Sequence, residues 1–316
     1  MSSSDGMTYA ELAGAALEDR VQALRWATAR LPLAGDQEAV HDTRVALRRL
    51  REAIAALSPC LRPKDQGRAP RLRTAERDLG PLRDAEARYE LLASVLGPVA
   101  VSWDRRDDPR AAAVYGSSVL PGATGPVAGL RGLEAMARGW LADAVAAEMT
   151  TQREVFLSGR SLPRLGRLAS GFEVLDNRSS RKRAREVADQ ELPRLFERAA
   201  IPQESERDLH RRRIRTRRLR YRLELFGPAL SDEHRRVVEE LRRLQSMLGR
   251  FHDLAILVEW MDEISRRGRH DLRPALRRLT VRVELEHQAA REASEAELRG
   301  LDGSGWWEAA RRACLG

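Results

Sequence analysis

Two cysteines, Cys60 and Cys314, in a chain of 316 residues are too few for a disulfide scaffold or a Cys-rich zinc module. Aromatic residues reach only 5%, which argues against a stacking platform for single-stranded nucleic acid. No uninterrupted apolar run approaches the roughly 18 residues of a spanning helix. The first residues, MSSSDGMTYAELAGAAL, lack a basic segment followed by an apolar one, so no secretory leader and no membrane association are expected, and the expected location is cytoplasmic. Lysine is nearly missing: of 56 Lys and Arg, only Lys64 and Lys182 are lysine. The positive charge, a net +9 against 47 acidic residues, is therefore carried by guanidinium groups. These are planar, permanently charged and able to grip phosphate in a bidentate way.

What is present is a helix-forming chain. Hydrophobic residues make up 42%, enough for a core and against wholesale disorder. Ala, Leu, Arg and Glu dominate, apolar residues recur at three- and four-residue steps, and no stretch alternates β-branched residues. The expectation is an all-α fold with helices over about 8–30, 38–57, 69–96, 128–158, 161–175, 180–200, 205–226, 231–267, 271–299 and 304–313. Pro98, Pro109, Pro121, Gly122, Gly125 and Pro126 mark a long loop over 97–126. Asp176-Asn177 reads as a stop between two halves, 7–176 and 177–314.

A repeat underlies that division. His41-Asp-Thr-Arg-Val-Ala-Leu-Arg-Arg-Leu-Arg51 recurs as His210-Arg-Arg-Arg-Ile-Arg-Thr-Arg-Arg-Leu-Arg220, an offset of 169. Leu79-Gly80 with Asp84 meets Leu248-Gly249 with Asp253 at the same offset, as does Leu72-Arg73 with Leu241-Arg242. A chance arginine cluster would not keep a second motif in register some forty residues on.

On a helical projection at about 100° per residue, His41, Arg44, Arg48 and Arg51 share one stripe, Leu47, Leu50, Ile54 and Leu57 lie opposite, and Arg49 points away from both. His210, Arg213, Arg217 and Arg220 repeat the stripe, with Leu219, Leu223 and Phe226 opposite. Like charges at three- and four-residue spacing repel by a few tenths of a kcal/mol per pair. Either a bound polyanion or acidic neighbours relieve that repulsion, and Asp42, Glu52, Glu76, Asp78, Asp84 and Asp253 are available for the second role.

The duplicated His-x-x-Arg-(Val/Ile)-x-x-Arg-Arg-Leu-Arg, each copy followed by Leu-Gly-x-x-x-Asp, closely resembles the CHAD domain (conserved histidine α-helical domain). The resemblance extends over about residues 7–314 as a single domain. It implies two four-helix-type bundles related by a pseudo-twofold axis, with a basic central groove or pore, and binding of inorganic polyphosphate, in some members at polyphosphate granules. The residues it implicates are His41, Arg44, Arg48, Arg49 and Arg51, and His210, Arg213, Arg217, Arg218 and Arg220. Arg73 and Arg242, which coincide in the repeat, join them as candidates. Some members of the family carry a triphosphate-hydrolysing CYTH domain; no room for one is expected in this chain. Arg83 and His252 differ from each other at the position before the shared Asp.

The resulting expectation is a non-enzymatic polyphosphate binder with no catalytic residues, no metal and no cofactor, in which phosphate or sulfate could occupy the same site. Two other readings stay open: an RNA- or DNA-backbone binder, for which base-edge and stacking groups are sparse, and a phosphoanhydride-processing enzyme, for which neither motif segment carries a Glu-x-Glu pair. No His-x-x-x-His spacing is present. Asp84 and Asp253 are expected to orient arginines, Gly80 and Gly249 to permit close packing or a kink, Tyr221 and Trp260 to line core or groove, and Trp306-Trp307 to dock the last helix. Arg181, Lys182, Arg183 and Arg185 are expected on a solvated face.

Overall fold

The computed structural model describes residues 6–33, 36, 38–97, 126–159, 161–175, 178, 181–202, 206–267 and 270–316. Their helices are α1 (Tyr9–Arg30), α2 (Glu38–Leu57), the single turn α3 (Pro63–Gln66), α4 (Arg68–Asp78), α5 (Gly80–Leu96), α6 (Pro126–Ser158), α7 (Ser161–Leu168), α8 (Ala184–Ala200), α9 (Glu206–Phe226), α10 (His234–Arg267), α11 (Arg273–Gly303) and α12 (Trp306–Leu315). The fold is all-α. Among the described residues the only extended pairings are two isolated bridges, Thr8 with Arg183 and Leu61 with Val174.

Side-chain capping is clearest at the start of α1. Thr8 caps α1: its hydroxyl accepts from the Glu11 amide at 3.2 Å, and Glu11 accepts from the Thr8 amide at 2.8 Å, a reciprocal capping box. The expected helix over 69–96 is two helices, α4 and α5, parted at Leu79, whose amide turns back to the Ala75 carbonyl at 3.3 Å. The expected helix over 161–175 stops at Leu168. The chain beyond it is held in extended form, with the Leu175 amide donating to the Cys60 carbonyl at 2.8 Å. The helix expected from 180 begins at Ala184, because Arg183 is extended (φ −68°, ψ 140°) and bridged to Thr8. The loop over 98–125 and the stop at Asp176-Asn177 lie outside the described residues.

The two motif helices end alike. α2 runs into a 3₁₀ turn, Ser58–Cys60, and α9 into another, Gly227–Ala229; each has proline at its second position, Pro59 and Pro228, and an extended leucine after it, Leu61 and Leu230.

The chain forms two compact units. One comprises Met1–Gly80, Phe156–Gly249 and Ala293–Gly316, the other Pro81–Val155 and Arg250–Glu292. Each thus draws on segments from both sides of residue 176. In the first unit α2 is central, packing against α1, α4 and α9, while α8 packs on α9 and α12. Its inward face is Val40, Ala46, Leu47, Leu50, Ile54 and Leu57, the three- and four-residue spacing of one helix side. Tyr9 is 2% exposed, stacks on Phe226 with centroids 6.4 Å apart and donates its hydroxyl hydrogen to the Ala56 carbonyl. The second unit has its own core, built by four helices: Leu92 and Leu96 of α5, Leu141 and Val145 of α6, Leu254 and Leu257 of α10, Leu276 and Val283 of α11. Trp260 packs partly buried against it.

Candidate functional site

Both motif helices belong to the first unit and touch each other. α2 projects Arg44, Arg48 and Arg51 toward α4, which packs alongside and offers one carboxylate, Glu76. Arg48 Nε and Arg51 Nη1 each donate to a separate oxygen of Glu76. Arg44 Nη1 donates to the Gly80 carbonyl at 3.2 Å. Burial alone would raise the Glu76 pKa; Arg48, then Arg51 and Arg44, outweigh it and hold the carboxyl below the ordinary range. Glu76 thus stays ionised and neutralises part of the α2 stripe.

The α9 stripe meets this cluster from the other side. Arg217 is half-buried and makes no hydrogen bond or ion pair with any described residue. Its pKa is pushed down to about 10, first by burial and next by Arg48, with Tyr221 opposing, Arg213 adding and Glu76 opposing. Arginine remains charged at neutral pH. The downward push therefore reflects a guanidinium partly stripped of water, with the Arg48 and Arg213 charges adding to the effect of burial. His210 shares that field: burial, Arg213 and Arg217 all lower its pKa. His41, like His210, is exposed.

The remaining candidates gather elsewhere in the same unit. Glu224 is shared by three arginines: Arg220 at 3.1 Å, Arg242 at 3.2 Å and Arg49 at 3.3 Å. Arg220, expected on the His210 stripe, is drawn to this second cluster by its own helix neighbour four residues on, and its guanidinium sits 4.8 Å from the Tyr221 ring centroid. Arg49 lies 5.9 Å over the same ring, so the buried Tyr221 carries two arginines of the Glu224 cluster. Arg218 Nε faces Glu52 at 3.5 Å. Arg73 is exposed and makes no bond with a described residue.

The CHAD domain family model matches residues 15–262. The chain belongs to the CHAD domain family. The crystal structure of the CHAD domain from the plant Ricinus communis superposes with a TM-score of 0.55 at 23% identity, covering 95% of this chain and 93% of that one. PptA from Streptomyces chartreusis superposes with a TM-score of 0.57 at 19% identity, covering 92% of this chain and 99% of that one. At these identities the likeness concerns the fold. No curated protein matches the chain in sequence.

Other residues of this CHAD chain divide between support and surface. Arg83 is bound by Glu90 at 2.8 Å, and Asp253 favours its charged form less than Glu90 and Glu86 do. Close packing is not the role of Gly80 or Gly249, since a Cβ at either would meet nothing within 4 Å; Gly80 instead opens α5 just past the break and offers its carbonyl to Arg44. Trp307 is buried and its indole nitrogen donates to Asp302 at the end of α11 at 2.8 Å, which ties α12 to it; Trp306 meets Trp307 edge-on at 4.9 Å. Arg181, Lys182 and Arg183 are exposed, and Arg185 pairs with Asp189 at 2.9 Å. No described group of His, Cys, Asp and Glu is suited to hold a metal ion, and no described helix is long and apolar enough to cross a membrane.

Glu224 and Arg212 are absent from the sequence-level candidates. The first was signalled by the Arg220–Glu224 spacing of four. The second is an arginine 1% exposed, bound to Asp302, and nothing in its run of arginines sets it apart by composition.

Proposed function

We propose that this CHAD protein binds inorganic polyphosphate and does not process it, using His41, Arg44, Arg48, Arg51, His210, Arg213 and Arg217, with the Glu224 cluster and Arg73 as flanking contacts. In this reading the two motif segments are copies of one ancestral half that meet to form a basic groove, and the protein serves to target or organise polyphosphate granules. The observation that carries it is Arg217, a half-buried cation on the motif helix that packs against α2, which makes no hydrogen bond or ion pair with any described residue. A polyanion laid along α2 and α9 supplies the counter-charge that Glu76 cannot. Polyphosphate suits the surface because it offers charge and oxygen acceptors along its length but no bases. Recognition then rests on forked donors and counterion release.

The experiment is equilibrium binding of end-labelled polyphosphate over a salt series, with tRNA as competitor. The expected outcome is a steep linear fall of log affinity with log salt and weak competition by tRNA. A tRNA that wins at equal phosphate concentration turns the reading to nucleic-acid backbone. Release of phosphate on adding Mg²⁺ or Mn²⁺, abolished by Arg217→Glu, turns it to an enzyme.

His210 makes binding pH-dependent. In the free protein burial, Arg213 and Arg217 hold its pKa below the ordinary histidine value. A phosphate beside it favours the imidazolium and raises the pKa in the complex. The contribution to affinity is therefore fully present below the free-state pKa and is lost as pH rises through the bound-state pKa. Binding is expected to tighten from pH 8 toward roughly pH 6 with uptake of a proton, and His210→Gln to flatten that slope. An equal slope in the variant refutes the assignment.

A further inference from the structure

α4 carries a second basic face. Projected at about 100° per residue, Glu76 and Leu72 face α2, Thr74 lies opposite them, Arg71 lies toward Thr74, and Arg68 sits at the edge of the Leu72 side. On one side α7 packs against α4, and the two helices border an open cavity of about 600 Å³ within the first unit, lined by Arg68, Arg71 and Thr74 of α4, Arg164, Arg167 and Leu168 of α7, and Ser170 beyond it. Two of its four arginines are balanced. Arg68 binds Asp65 at 2.8 Å and is fixed further by the Ser170 carbonyl at 3.0 Å and by the Phe172 ring at 4.4 Å; Arg164 faces Asp78 at 3.6 Å. The other two, Arg71 and Arg167, are exposed and make no hydrogen bond or ion pair with any described residue. The cavity is thus a concave site with two uncompensated guanidiniums and two hydroxyl-bearing side chains, Thr74 and Ser170.

We infer that this cavity is a second anion site, taking a compact oligophosphate through Arg71 and Arg167, with Arg68 and Arg164 as fixed supports. Several forked donors aimed at one concave space suit several linked phosphoryl groups better than one carboxylate. The lining has no aromatic ring, so nothing stacks a nucleobase and the phosphate chain alone is recognised. The ligand chemistry is akin to that of the α2/α9 surface, but the site lies between α4 and α7 and uses none of the residues assigned to polyphosphate above.

The test is isothermal titration of the full chain with inorganic tripolyphosphate at low salt. The wild type is expected to bind one equivalent at the α4/α7 cavity in addition to what the α2/α9 surface binds. Arg71→Ala with Arg167→Ala loses that equivalent, Arg217→Glu retains it, and Arg71→Lys with Arg167→Lys, which keeps the charge, retains binding at reduced affinity. Helicity by circular dichroism checks folding, and the Lys pair covers the case in which the Ala pair fails to fold. No equivalent lost in the Ala pair overturns the inference, and so does ATP binding there more tightly than tripolyphosphate, since that requires base recognition. Loss confined to the Ala pair, with Arg217→Glu equal to wild type, upholds this site while refuting the α2/α9 reading. Loss confined to Arg217→Glu does the reverse.

Discussion

Arg213→Glu combined with Arg44→Glu is expected to lower polyphosphate affinity by on the order of 10²- to 10⁴-fold while helicity is unchanged. Each substitution removes a charge-assisted hydrogen bond to phosphate, about 1.5–3 kcal/mol, and sets a carboxylate in its place. Retained helicity is part of the expectation: Glu76 keeps its pairs with Arg48 and Arg51, and Arg217 has no ion-pair partner among the described residues. A glutamate at 213 relieves Arg217 where an anion would otherwise be needed. Arg217→Glu alone is expected to show the same trend at roughly the square root of the effect, since one contact of the same strength is lost. The salt dependence of binding becomes shallower in step with the lost phosphate contacts. Filter binding or fluorescence anisotropy at fixed ionic strength reads the result. An affinity within a few-fold of wild type for the double variant means that the polyphosphate path lies away from α2 and α9.

Most of the fold was legible because helix periodicity is a local signal. The apolar spacing of α2, ending in Leu50, Ile54 and Leu57, needed no tertiary knowledge, and neither did the register of 169 between His41 and His210. Misplaced boundaries have tertiary causes. Nothing in Arg-Asp-Leu-Gly-Pro forces a break at Leu79 from composition alone except Pro81, which is tolerated in a first turn. Likewise, Arg183 is extended because Thr8 pairs with it. The site was legible as a list of cations and illegible as a set of partnerships. The projection placed Arg220 with His210, Arg213 and Arg217; Glu224 removes it, and the same carboxylate gathers Arg49 and Arg242 from two other helices. Which arginine stays without a carboxylate depends on three-dimensional neighbours, so Arg217 could not be singled out among the arginines of α9. Arg212 was concealed for the same reason. Leu209, Arg212, Thr216, Leu219, Leu223 and Phe226 are all buried and form one unbroken three- and four-residue stripe, in which the arginine occupies a core position.

That inward arginine underlies the second large effect. Asp302→Ala is expected to cost about 3–5 kcal/mol of folding stability, the range for a buried charge deprived of its partner. Arg212 Nη1 donates to Asp302 Oδ2 at 2.8 Å and Nη2 to Oδ1. The indole nitrogen of Trp307 donates to the same Oδ1 at 2.8 Å, and the Trp307 ring lies 5.4 Å from the guanidinium. Removing the carboxylate leaves the buried Arg212 guanidinium and the Trp307 indole without their shared acceptor, and loosens the docking of α12 along with the end of α11. Arg212→Leu with Asp302→Leu, which removes both charges, is expected to recover much of the loss. Urea denaturation followed by circular dichroism separates the two, with a lower midpoint for the single variant at unchanged slope. A single-variant cost below about 1 kcal/mol shows that water, and not Asp302, satisfies Arg212 in solution. The pair also bears on the proposed anion surface without belonging to it. Fixing Arg212 inward sets the rotation of α9 about its axis, and at about 100° per residue that rotation determines where Arg213 and Arg217 point. At temperatures where Asp302→Ala remains folded, polyphosphate affinity therefore falls only as far as α9 is free to turn, whereas the double leucine variant, with the stripe packed apolar throughout, keeps both the rotation and the affinity.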